Sequence, residues 1–127
     1  MTSFDGCSFP ECCLEPPGPA NMTLADKFGA ADCFRNAMKA ELNAISTLPT
    51  PIKNLLVGRL DIAGSRQDNK CRGLRHAIVI KAMVCRRLDV LNFLGLISTD
   101  EHLQLGRKCA VLDAWYSSCA DTEGCPR

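Results

Sequence analysis

Nine cysteines in 127 residues decide first whether this chain folds around covalent staples or around an apolar core. At about 7 per cent, the cysteine content sits just below the range of disulfide scaffolds, and a chain of this length buries most of its surface in one domain without staples. Residues 1–20 hold Asp5, Glu11, Glu15 and four prolines, with neither a basic stretch nor an apolar run of signal-peptide length. A chain lacking that route is expected in the cytoplasm or nucleus rather than secreted, with its thiols reduced. The odd number of cysteines points the same way.

The pattern of helix starts and stops predicts an all-α domain. Pro16-Pro17-Gly18-Pro19 cannot continue a helix, so residues 1–22, with Cys7, Cys12 and Cys13, read as an extended arm. Thr23 and Asp26 then form a capping box. Leu24, Phe28, Ala31, Met38, Leu42 and Ile45 follow at alternating steps of four and three, with Arg35 in the one missing step, which predicts a helix of about 23 residues. Leu48-Pro49-Thr50-Pro51 stops it, and Pro51 suits the first turn of a short helix reaching Leu60 or Ile62, before a polar loop from Ala63 to Asn69.

Lys70 to Ile97 reads as the longest helix, weakened by Gly73 and by Ile78-Val79-Ile80, and apolar nearly all round, as in a central, mostly buried helix. Ser98 with Glu101 makes a second capping box, opening a last helix to about Ser118. The expectation is one domain over residues 23–119 with three to five helices, ending in an antiparallel hairpin and followed by a short tail over 120–127.

That hairpin places cysteines at matching heights. Cys85 lies 12 residues before the turn at Ile97 and Cys109 lies 12 after it, while Cys71 falls level with the stretch between Cys119 and Cys125. Helix axes pack about 8–10 Å apart and a disulfide needs Cα atoms about 4.4–6.8 Å apart, so Cys33, Cys85 and Cys109 are expected as core neighbours rather than bonded partners. Zinc is the competing use. His102, Cys109, Cys119 and Cys125 supply four donors, and Cys7, Cys12 and Cys13 supply three, with the arm the better place because nothing else orders it. Neither set contains the paired C-x2-C units of a structural zinc site.

Enzymatic chemistry is not expected. Cys71 stands about 500° around the helix from His76 and Cys85 two and a half turns from it, beyond hydrogen-bond reach, and no nucleotide, His-Glu-x-x-His or Gly-x-Ser-x-Gly motif is present. No apolar stretch approaches the 18 or so residues that span a bilayer, so no membrane role is expected either.

Charge is more telling. The net charge is +1, yet between Pro51 and Arg87 nine Lys or Arg face only Asp61 and Asp68, an asymmetry that points to an anionic partner. On an unbroken helix Arg72, Arg75 and Arg86 fall within about 60° of arc, with Arg66 and Lys70 extending the stripe, a geometry suited to the phosphates of double-stranded or structured RNA. One Trp, one Tyr and five Phe give little sign of a base-stacking platform.

In size and composition the chain resembles the small cysteine-rich proteins of rod-shaped plant RNA viruses, through Cys7, Cys12 and Cys13 and the segment Lys70-Cys71-Arg72-Gly73-Leu74-Arg75. The resemblance implies a suppressor of host RNA silencing that sequesters duplex RNA in the cytoplasm or nucleus of a host cell, with host proteins as further partners. The orderly zinc-finger spacing of several such families is absent, and no residue role carries over. The alternative is a helical protein-interaction module, with Leu24, Phe28, Ala31, Met38, Leu42 and Ile45 as the seam of a homodimer, which would also double any basic surface.

Overall fold

The computed structural model describes residues 21–65 and 71–125, with Pro16 and Gly18. Both capping boxes form. The Thr23 hydroxyl accepts from the Asp26 amide at 3.1 Å while the Asp26 carboxylate accepts from the Thr23 amide at 3.3 Å, which starts helix α1, Leu24–Ala44. Ser98 and Glu101 repeat the exchange at 3.1 and 2.7 Å and start α5, Thr99–Glu123. Between them lie α2, Thr50–Ser65, and a continuous rod in three parts: α3, Arg72–Ile80, a π-turn, Lys81–Cys85, and α4, Arg86–Phe93. No strand occurs among the described residues, and the fold is all-α with four helices.

Several ends differ from expectation, each for a local reason. The second helix continues through Ser65, so Ala63 to Ser65 are helical rather than loop. The last helix runs five residues beyond Ser118 because its stop is Gly124, whose left-handed φ of 78° lets the Cys125 amide reach the Ala120 carbonyl at 2.8 Å. The rod ends at Phe93, where Gly95 (φ 77°) begins the turn into α5.

Helix α1 packs on α5 and α2, and α3 packs on α5. Phe34, Met38, Leu42, Leu56, Leu60, Leu105, Leu112, Trp115 and Tyr116 fill the core. Phe28, Ala31, Met38, Leu42 and Ile45 are buried in that core and Leu24 packs at its edge, so the four-three face of α1 is occupied by its own chain and is not a dimer seam. Arg35 breaks the apolar pattern yet is also buried, donating to the Leu60 carbonyl at 3.1 Å and pairing with Asp32 at 2.9 Å. Lys108, fully buried, pairs with Glu41 across α5 and α1.

Gly73 explains how α3 and α5 come so close. A Cβ there would lie 2.6 Å from the Ala120 amide nitrogen and the Tyr116 carbonyl oxygen and 2.7 Å from the Cys119 Cβ, so only glycine allows the two backbones to touch. This approach accompanies two disulfides where reduced core neighbours were expected. Cys71–Cys125 has a Cα separation of 5.5 Å and Cys85–Cys109 one of 6.0 Å, both well inside the usual interaxial spacing. The equal-height count for Cys85 and Cys109 holds, and so does the height of Cys71 against the end of α5. Cys33 and Cys119 are free thiols.

Candidate nucleic-acid interface

The rod α3–α4 opens on an unusual cap. Cys71 takes a left-handed φ of 59° and offers no side-chain acceptor; instead the Glu123 carboxylate from the end of α5 accepts from the Arg72 and Gly73 amides at 3.1 and 2.7 Å. A carboxylate satisfies the orphan donors and complements the positive end of the helix. The Cys71–Cys125 bond lies beside it, so charge and covalent bond fix the rod to α5 at the same place.

Halfway along, the Arg86 amide donates to the Lys81 carbonyl five residues back, which defines the π-turn. The turn spends one extra residue, about 100° of rotation, without advancing the helix around its axis. Without it Leu88 would stand about 80° past Ile80; with it Ile80, Val84, Leu88 and Leu91 all stay buried. The signature is legible in the two consecutive steps of four, Ile80 to Val84 to Leu88.

The same shift rebuilds the basic stripe. Arg75 is exposed as expected. Arg86, also exposed, swings to about 80° from Arg75, while Arg87 takes the aligned position at about 20°. Arg72 leaves the stripe: its guanidinium carbon lies 3.9 Å from the centre of the Phe28 ring, its Nε is buried, and its charge is spent on packing. Arg66 and Lys70 lie outside the described residues. The exposed cations that result are Arg75, Arg86 and Arg87 within about 100° of arc, with Lys81, also exposed, about 120° from Arg75 toward α5.

Exposure together with a lack of partners among the described residues marks these four, whereas Arg59 on α2, also without a partner there, is half-buried. On α1, Lys27 donates to Thr122 at 2.8 Å and Lys39 pairs with Asp61, and on α2 Lys53 donates to the Asn43 carbonyl at 3.3 Å. Among the described residues no acceptor or carboxylate engages Arg75, Lys81, Arg86 or Arg87. Asp89, the acid nearest in sequence, is taken by His102 at 2.7 Å.

The rod is less buried than its all-round apolar pattern implied. Ile78, Met83, Val90, Phe93 and Leu94 are exposed, so it is a flank of the bundle rather than its centre.

Of the two zinc sets, the one that lies within the described residues is not assembled. Cys109 and Cys125 belong to separate disulfides, His102 is bound to Asp89, and Cys119 is buried. Burial, reinforced by the Glu123 carboxylate, pushes the Cys119 thiol up to about 12, which keeps it protonated and a poor metal ligand. No group of three or more His, Cys, Asp or Glu side chains stands ready for a metal among the described residues, and Cys7, Cys12 and Cys13 lie outside them. Cys71 and Cys85 are in disulfides, so neither presents a thiol to His76. No helix among the described residues is long and apolar enough to cross a membrane. Compared with protein-family models, with curated proteins and with solved structures, the chain matches none.

Proposed function

We propose that this is a small RNA-binding protein whose α3–α4 rod sets Arg75, Lys81, Arg86 and Arg87 against the phosphates of a duplex. The observation that supports this is that, among the described residues, no internal partner engages these four exposed cations, whereas Lys27, Lys39 and Lys53 are paired. From Arg75 to Arg87 the rod extends about 18 Å, long enough to meet several phosphates of a duplex. Contacts of this type read shape and backbone rather than bases. Sequestration of duplex RNA is the act of a silencing suppressor, the biological role that the resemblance in composition implies.

A second reading, a protein-interaction module, draws on the exposed Val90, Phe93 and Leu94 at the other end of the rod. Titration of a short fluorescent RNA duplex at several salt concentrations separates the two. Binding that falls linearly in log K against log salt, with a slope near −3 for four phosphate contacts, is the expected result. Absence of binding even at low salt leaves the interaction module in place of the RNA reading.

A further inference from the structure

The C-terminal end of the rod carries a contact surface that shares Arg87 with the proposed RNA face and can be tested without RNA. Between α2 and α4 runs a groove of about 220 Å³ lined by Ile52, Leu55, Val90, Leu91 and Leu94, with Arg87 at its rim. An apolar cavity of roughly 150 Å³ is enough to hold a benzene ring, so the groove has room for one aromatic side chain. Beside it stands Phe93, 88% exposed.

Around α4, at 100° per residue, Val90 occupies the middle of this surface. Phe93 lies about 60° to one side, while Leu94, Arg87 and Leu91 lie about 40–100° to the other. Ring and groove therefore flank the same residue, and one patch holds both halves of a contact. A two-fold axis passing through Val90 and running nearly along α4 exchanges the two flanks, which is the self-complementarity that an isologous interface requires.

We infer that a second copy of this chain covers the patch, each copy placing Phe93 in the α2–α4 groove of the other. In that arrangement Arg87, at the groove's rim, stands over the incoming ring as a cation–π partner. Phe93, Leu94, Val90 and Leu55 expose on the order of 500 Å² per copy, so the pair buries on the order of 1,000 Å², the lower edge of specific interfaces and typical of weak, exchangeable dimers. The cations repel across the axis. Apolar contact has to exceed that repulsion, which salt screens.

Sedimentation equilibrium of the full chain at rising concentration tests this. The parent should move from monomer to dimer mass, more completely as salt is raised and the repulsion is screened. Phe93→Ser and Leu55→Arg, changes at exposed and half-exposed positions, should each remain monomeric with unaltered helicity. Mixed in equal amounts, they should associate more than either variant alone and less than the parent, because the Leu55→Arg chain still offers a ring and the Phe93→Ser chain an intact groove, which restores one of the two contacts. A parent that stays monomeric into the millimolar range, a dimer that survives Phe93→Ser or dissociates as salt rises, or a mixture that associates no more than either variant alone would each overturn the exchange.

Discussion

Helix α1 and the α3–α4 rod have nearly the same length and both carry three or more cations, yet the fold treats them in opposite ways. On α1 each charge is absorbed: Arg35 by Asp32 and a carbonyl, Lys39 by Asp61, Lys27 by Thr122. Its apolar face is covered by α5 and α2. On the rod only Arg72 is absorbed, over Phe28, while Arg75, Lys81, Arg86 and Arg87 keep their charge in solvent and Val90, Phe93 and Leu94 keep their apolar surface there. The amount of charge in a segment therefore says little about its use. What counts is whether the rest of the chain supplies a counter-group.

If α1 is where charge serves folding, the largest effects lie on its side of the comparison. Lys108→Ala leaves Glu41 without its partner at a mostly buried site, and breaking a buried pair in this way costs about 3–5 kcal/mol, read from chemical denaturation. Replacing both, Lys108→Met with Glu41→Leu, should return most of that loss. A single change costing under about 1 kcal/mol would show that the pair contributes nothing and that α1 does not differ from the rod in this respect.

The next effect falls where the rod joins the core. Gly73→Ala puts a methyl group within 2.7 Å of two backbone atoms and the Cys119 Cβ, none of which can swing aside, so it should destabilise by about 1–3 kcal/mol despite alanine's better helix propensity. A more stable Gly73→Ala protein would mean that α3 and α5 are not in backbone contact.

Much of the fold could be read from the chain because its signals are local. Thr23 with Asp26 and Ser98 with Glu101 mark two helix starts without reference to anything distant, and the 12-residue offsets of Cys85 and Cys109 follow from helical rise alone. What escaped depended on tertiary contact or on broken periodicity. Gly73 looked like a weak point in a helix because the backbone it touches is some 45 residues away in sequence. Arg72 looked solvent-facing because Phe28, on a different helix, is what captures it.

The candidate interface was half legible for the same reason. Arg75 and Arg86 were placed on the exposed side, but the angles between them assumed an unbroken α-helix. The π-turn moved Arg86 off the line and Arg87 onto it, and its only trace in sequence is the pair of four-residue steps from Ile80 to Leu88. The groove was hidden because apolar residues all round a helix look the same whether the last face is buried or bare.

Removing equal charge from the two kinds of site gives the most direct test of the account. Arg75, Arg86 and Arg87 changed together to Gln should lower affinity for a short RNA duplex and flatten the dependence of log K on log salt by about two to three units, with each surface change moving stability by no more than about 0.5 kcal/mol. Lys27, Lys39 and Lys53 changed together to Gln remove the same charge from partnered positions and should leave that slope nearly as it is. Equal flattening by the two triple mutants would mean that RNA responds to net charge alone, and the unpartnered face of the rod would not be the binding surface.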